Sequence, residues 1–91
     1  MAKRVSAENR DKIVRLGLAI ATVRKVRGMT QAQLAERVGV SRDTVQSIEN
    51  PSVLRSFSFE TFLKIAYVLE IDPCVLLRGD IFSGDMLRIE R

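Results

Sequence analysis

The stretch TQAQLAERVGVSRDTVQSIEN, residues 30–50, predicts two short helices that meet at a single glycine. Thr30, followed three residues later by Gln33, is a capping box that starts the first helix. Gly39 can take the positive φ that a sharp turn needs, and Ser41 can cap the second helix. Apolar residues recur at helical spacing in both helices. The pattern predicts a pair of helices with a shared core and one outward polar face.

The polar face of the second helix points to nucleic acid. Its outward side chains both donate and accept hydrogen bonds; they are Arg42, Asp43, Thr44, Gln46, Ser47 and Asn50. An α-helix fits the major groove of B-DNA, where Arg42 can donate two hydrogen bonds to guanine and Asp43 can accept one from cytosine. The alternative interpretation is an ordinary helical hairpin in a small bundle.

The flanking segments predict an all-α fold, because no segment has convincing strand alternation. Helical periodicity extends over residues 7–27, 59–69 and 73–77, with expected N-caps at Ser6, Ser58 and Asp72. The segment 59–69 is apolar almost all round, which predicts a helix that is either central or buried against a partner. We expect a compact five-helix domain over residues 13–78. A basic arm or the start of helix one (1–12) precedes it, and a short C-terminal tail (79–91) follows it.

Positive charge is concentrated in the first third of the chain. The 91 residues hold 15 Lys and Arg against 11 Asp and Glu, a net charge of +4, and residues 1–28 alone hold eight of the cations and two of the acids. Such a surface suits a polyanionic partner. A solvated arm explains the cations of residues 1–12 equally well. Lys25 and Arg27 are better candidates for phosphate contact, because they lie close to the start of the second helix.

Several other classes of protein are not expected from this composition. The single cysteine, Cys74, excludes an internal disulfide and fits a reducing cytosol. We expect a cytoplasmic location and no membrane association, because no apolar run could span a bilayer and no signal peptide is evident. The chain has no histidine, no glycine-rich phosphate loop and no cluster of metal ligands. Neither an enzyme nor a cofactor or metal site is therefore expected.

The spacing of residues 30–50 resembles the helix-turn-helix of the phage repressor and Cro (XRE) family. GMTQAQLAERVGVS, residues 28–41, is typical of that family, with Ala35 and Gly39 at its small-residue and turn positions. FETFLKIAYVLEIDPCVLL, residues 59–77, is similar to the family's fourth and fifth helices. The resemblance covers about residues 13–78 and implies a lambda-repressor-like DNA-binding domain.

The same resemblance implies roles for particular residues. Arg42, Asp43 and Ser47 match positions that contact base edges in the family. Gln31, Thr44 and Gln46 match positions that contact phosphates or support the base readers. Arg55 lies in a loop where family members often meet the DNA backbone, although this loop is about two residues longer than usual. The full set of candidate DNA-binding residues is Lys25, Arg27, Gln31, Ser41, Arg42, Asp43, Thr44, Gln46, Ser47 and Arg55.

Two opposite charges are expected to face the core. Arg24 follows Ile20 by four residues on the apolar stripe of the first helix, and Glu49 follows Val45 by four on the inner side of the third. A lone buried charge is costly, so two such residues imply a mutual ion pair. The family resemblance suggests the same pair, which would position the recognition helix rather than touch DNA.

These observations together predict a sequence-specific DNA-binding transcriptional regulator that acts as a dimeric repressor. A dimer is expected because DNA readers of this type generally pair to span two half-sites. The apolar residues of the tail 79–91 can belong either to that interface or to the monomer's own core. One alternative is a DNA-binding antitoxin that also binds a toxin. Another is an activator that touches RNA polymerase through acids such as Glu36.

Overall fold

The computed structural model describes residues 6–53 and 56–78, and within them the chain forms five helices. These are α1 (Ala7–Val26), α2 (Gln31–Val38), α3 (Arg42–Glu49), α4 (Phe59–Leu69) and α5 (Pro73–Arg78). The predicted all-α fold is confirmed. Three predicted features lie wholly or partly outside the described residues: residues 1–5 of the arm, Arg55 in the loop, and the tail 79–91.

One apolar core joins all five helices. The long helix α1 packs against α3, α4 and α5, while α2 packs against α3 and α4. The largest fully buried side chains come from every helix and are Ile20, Val23, Leu34, Val45, Ile65, Leu69 and Leu76. Each such side chain contributes about 1.5–3 kcal/mol when it leaves water. The core therefore holds α3 against α1 and α2, with its remaining face toward solvent.

The helix ends follow the local sequence with small departures. Ser41 accepts a capping hydrogen bond from the N–H of Thr44, and Ser58 does the same for Thr61. Ser6 has the extended backbone of an N-cap, but its side chain accepts no capping hydrogen bond. The first helix ends at Val26, one residue earlier than predicted, and the fifth runs one residue further, to Arg78.

Helix α4 buries only one of its apolar faces. Phe62, Ile65, Ala66 and Leu69 lie in the core. On the other side the side chains of Phe59, Leu63 and Tyr67 are 70%, 40% and 84% exposed. These three residues are spaced four apart and so form a single row, here called the α4 stripe. One of the two interpretations of its sequence placed this helix at the centre of the fold, but the structure does not. The α4 stripe is open to solvent in the monomer.

Candidate nucleic-acid interface

The turn between α2 and α3 depends on Gly39. Its backbone has φ 90° and ψ 31°, in the left-handed region that other residues seldom adopt. The N–H groups of Gly39 and Val40 both donate to the carbonyl of Ala35, at 2.8 and 3.0 Å. These hydrogen bonds close the end of α2, and α3 begins only three residues later at Arg42. The two helices consequently form a helix-turn-helix pair rather than one continuous rod.

Helix α3 presents a polar face to solvent. Val45 and Ile48 are buried against the core, whereas Arg42, Asp43 and Gln46 are exposed. Ser47 and Thr44 are half-buried at the edge of that face. The Thr44 hydroxyl lies 2.9 Å from the hydroxyl of Ser41, so part of its hydrogen-bonding capacity is used in the helix cap. The N-terminal turn and outer side of α3 are thus free for a ligand.

Behind this face, Arg24 and Glu49 form a buried ion pair. The Nε and Nη2 atoms of Arg24 donate to the two carboxylate oxygens of Glu49 at 2.8 and 3.0 Å. A third guanidinium nitrogen, Nη1, donates to the carbonyl of Met29 at 2.7 Å. Both side chains are less than a tenth exposed. Bidentate geometry with extra hydrogen bonds is the arrangement that a buried pair requires to offset its desolvation.

Gln31 joins the same network from the first turn of α2. Its Nε2 donates to Oε1 of Glu49 at 3.0 Å. Because an ionised carboxylate only accepts hydrogen bonds, the amide nitrogen of Gln31 must be the atom that faces Glu49. One carboxylate therefore links α1, α2 and the end of α3.

The N-terminus of α2 also offers free backbone donors. The capping box is complete, because Thr30 accepts from the N–H of Gln33 while the Gln33 side chain accepts from the N–H of Thr30. Within the described residues, the N–H groups of Gln31 and Ala32 have no partner in the fold. Two free N–H groups at the positive end of a helix dipole form a natural place for an anion.

The cations of the N-terminal third are not equivalent in the folded chain. Arg10, Lys12, Arg15 and Lys25 are exposed and can attract a polyanion. Arg24 is neutralised by Glu49, so it adds nothing to the surface potential. Counting charges along the sequence therefore overestimates the basic surface.

Arg27 has partners that its sequence position did not suggest. Its Nε donates to the carbonyl of Leu69 at 2.7 Å, and its Nη2 donates to the carbonyl of Glu70 at 3.1 Å. A cation at these carbonyls satisfies the C-terminal end of α4 and its dipole. At least two of the guanidinium nitrogens thus serve the fold instead of facing solvent.

Gly17, in the middle of α1, has a packing role that the sequence alone did not predict. A Cβ built on Gly17 would lie 2.3 Å from the carbonyl oxygen of Ile48 in α3 and 3.6 Å from the Cα of Glu49. No real Cβ comes so close to a backbone oxygen, so the two helices touch here through their backbones. A glycine in the middle of an amphipathic helix is the sequence signal for such an approach.

Comparison with known proteins agrees with this geometry. The profile of the helix-turn-helix family matches residues 20–76, more than half of the chain. The chain belongs to this family of DNA-binding transcriptional regulators. The resemblance to XRE-type regulators is thereby confirmed. No curated protein matches the sequence.

Solved structures of helix-turn-helix regulators resemble the fold. The restriction-modification controller protein C.AhdI from Aeromonas hydrophila is 30% identical, with a TM-score of 0.67 over 72% of this chain and 97% of its own. A point mutant of the controller protein C.Esp1396I is 26% identical, with a TM-score of 0.67, and the match covers 81% of this chain and 97% of that one. The clp gene regulator ClgR from Corynebacterium glutamicum is 24% identical, with a TM-score of 0.69, and the match covers 84% of this chain and 77% of that one. At this identity the likeness supports the fold alone.

None of the helices in residues 6–53 and 56–78 combines the length and hydropathy needed to cross a membrane. In the same part of the chain, no three His, Cys, Asp or Glu side chains group closely enough to hold a metal ion.

Proposed function

We propose that the protein is a dimeric repressor that reads a specific operator with α3 in the major groove. The observation that carries the proposal is the outward polar face of α3, fixed from behind by the buried network around Glu49. Polar side chains on a rigidly held helix can discriminate bases, because their positions do not adapt to a wrong base pair. Occupation of an operator by such a domain excludes other proteins from it.

The proposed base readers are Arg42, Asp43 and Ser47. Arg42 and Asp43 are exposed in the first turn of α3, the part of a recognition helix that enters the groove. A guanidinium matches the O6 and N7 acceptors of guanine, and a carboxylate matches the N4 amino group of cytosine. Ser47 lies about one turn further along and is half-buried, so it would contact the edge of the site. Gln46, exposed on the same helix, is proposed to contact the backbone or support these side chains.

Phosphate contacts are proposed at the start of α2 and at the exposed cations. The free N–H groups of Gln31 and Ala32 are suited to one phosphate oxygen. The second hydrogen of the Gln31 amide is available to the same phosphate, since the first is held by Glu49. Lys25 is exposed and remains a proposed phosphate contact. We propose that Arg27 belongs to the fold rather than to this set, because of its hydrogen bonds to α4.

Selection of bound fragments from a random DNA pool tests the proposal. The expected result is one enriched sequence with two-fold symmetry, whose half-sites are one or more helical turns apart. The matched control is Lys64→Ala, which removes a charge from the exposed Glu60–Lys64 pair on α4 and should leave the enriched sequence unchanged. Recovery of fragments with no common sequence would contradict specific recognition.

A second copy of the chain is proposed to cover the α4 stripe. An exposed row of Phe59, Leu63 and Tyr67 is unusual for a small monomer, and burial of it would supply a non-polar contact. Dimerisation through this row would also give the paired recognition helices that a symmetric operator requires. The similar solved structures include two restriction-modification controller proteins, and this likeness supports a regulatory role.

Sedimentation of the purified chain and of the variant Leu63→Glu tests the interface. We expect a dimer for the original chain and a folded monomer for the variant, because a charge cannot be buried in an apolar contact. The control Lys64→Glu changes the adjacent, paired position and should remain dimeric. A dimer that survives Leu63→Glu would contradict the α4 stripe as the interface. A second polypeptide that copurifies with the chain from its host in fixed ratio would favour the antitoxin alternative.

A further inference from the structure

Helix α1 contacts the last turn of α3 at two points on one of its faces. Gly17 meets the backbone of Ile48 and Glu49, and Arg24 holds the Glu49 carboxylate. The two contact residues are seven apart, which places them two helical turns apart on the same side of α1. One contact fixes a distance between backbones, and the other fixes the side chain at the end of α3.

The two contacts differ in how much movement of α3 they allow. The ion pair joins two side chains, so it holds the end of α3 but constrains the spacing of the two backbones less than a direct backbone contact does. The contact at Gly17 joins two backbones, and a methyl group there would be 2.3 Å from the Ile48 oxygen, where no side-chain rotation can relieve the overlap. The Gly17 contact is therefore the one that sets how closely α3 lies on α1.

From this geometry we propose that Gly17 is a positioning residue for DNA specificity. Its missing side chain sets the depth at which α3 sits, and hence how far Arg42, Asp43 and Ser47 project. The proposal rests on the proposed function of α3 as the recognition helix. A residue with only a packing role would affect the amount of folded protein. Here we expect base discrimination to depend on this glycine as well.

The variant Gly17→Ala tests the proposal, with affinities measured for the enriched operator and for random duplex DNA. We expect the ratio of the two affinities to fall at least tenfold, because displaced side chains lose base contacts while phosphate contacts persist. Loss of stability alone cannot produce this result. Partial unfolding lowers both apparent affinities by the same factor, so the ratio is independent of the folded fraction.

The matched control is Leu76→Ala, which weakens the core where α5 packs on α1 and α4, away from α3. It should lower both affinities alike and leave their ratio unchanged. For Gly17→Ala, loss of both affinities by the same factor, including complete loss of both, would overturn the proposal.

A measurement without DNA separates this proposal from the proposed function. Amide chemical shifts of the Gly17→Ala chain should change along α3 as far as Arg42, whereas those of Leu76→Ala should change mainly around α5. Alanine is normally favoured over glycine inside a helix, so the melting temperature should rise if the methyl group met no obstacle. A raised melting temperature with unchanged α3 shifts would overturn the proposal. A lack of operator preference in the original chain would instead refute the proposed function.

Discussion

The side chains around the proposed DNA face divide into those that are free and those that the fold already holds. Arg42 and Asp43 are exposed and have no ion-pair partner among the described residues. Arg24, Gln31 and Glu49 are tied together by hydrogen bonds of 2.8 to 3.0 Å. A free side chain can read a base, whereas Arg24 and Glu49 can only orient their neighbours, and Gln31 keeps one amide hydrogen for a phosphate. The distinction leads to opposite expectations for substitutions at the two kinds of residue.

Substitution of Glu49 should weaken the fold. Glu49→Ala leaves the buried guanidinium of Arg24 without its carboxylate, which typically costs about 3–5 kcal/mol of unfolding free energy. Chemical denaturation measures the difference. The control Glu60→Ala breaks an exposed pair on α4 and should change stability by no more than about 1 kcal/mol. Equal stability of Glu49→Ala and the original chain would contradict a structural role for the pair.

Substitution of Arg42 should spare the fold and weaken recognition. Arg42→Ala removes the proposed bidentate contact to guanine, so we expect a loss of about 1–3 kcal/mol on the selected operator and relaxed preference at one base pair. Titration against operators that vary at single positions measures both. Arg37→Ala, which removes an exposed arginine from the last turn of α2, is the control for a general loss of charge. An equal loss on every DNA sequence would mean that Arg42 contacts only phosphate.

The junction of α4 and α5 holds Glu70, the one non-glycine residue with a positive φ among the residues that the structure describes. Glu70 caps α4 with φ 56° and ψ 48°, a left-handed conformation usually taken by glycine. The N–H of Ile71 reaches back to the carbonyl of Ala66 at 3.1 Å, and Arg27 binds the carbonyls of Leu69 and Glu70 from outside. The hydrogen bonds of Arg27 and Ile71 therefore hold a backbone conformation that Glu70 itself disfavours.

Relief of this strain should stabilise the protein. A non-glycine residue in the left-handed region costs roughly 1–2 kcal/mol. Glycine avoids this cost, but it also loses more conformational entropy on folding, so the net gain in stability is smaller. We expect Glu70→Gly to raise the unfolding free energy by about 1 kcal/mol, as seen by denaturation. Gly39→Ala is the matched inverse change, since its Cβ would meet nothing within 4 Å and only its φ of 90° is unfavourable. The Gly39→Ala variant should have an unfolding free energy lower by a similar amount. A destabilised Glu70→Gly would indicate that the glutamate side chain has an unrecognised contact.

Across the domain, the exposed cations should govern how binding depends on salt. Each phosphate contact contributes roughly −0.9 to the slope of log affinity against log salt on duplex DNA. Lys25→Ala should therefore make the slope shallower by about 1. Arg27→Ala should leave the slope unchanged and lower the melting temperature, because its hydrogen bonds go to α4. Binding titrations between low and moderate salt measure this pair of outcomes. A shallower slope for Arg27→Ala would place that residue at a phosphate after all.

The linear sequence was sufficient for most features that depend on near neighbours, although the side chain of Ser6 does not make the capping hydrogen bond expected of it. Thr30 with Gln33, the turn at Gly39 and the cap at Ser41 are local arrangements of three or four residues, and each appears in the structure as the pattern predicts. The inward charges of Arg24 and Glu49 were also readable, because helical periodicity places both on apolar faces. A local pattern carries this information since the geometry of a helix and its caps is set within one turn.

Tertiary packing determined the features that join residues distant in sequence. Nothing near Arg27 in the chain indicates the carbonyls of Leu69 and Glu70 as its partners, and nothing near Gly17 indicates the backbone of Ile48. Likewise, an apolar α4 could not reveal which of its faces stays exposed. These outcomes depend on how the helices cross, and crossing is fixed by the combined shape of the core rather than by any single segment.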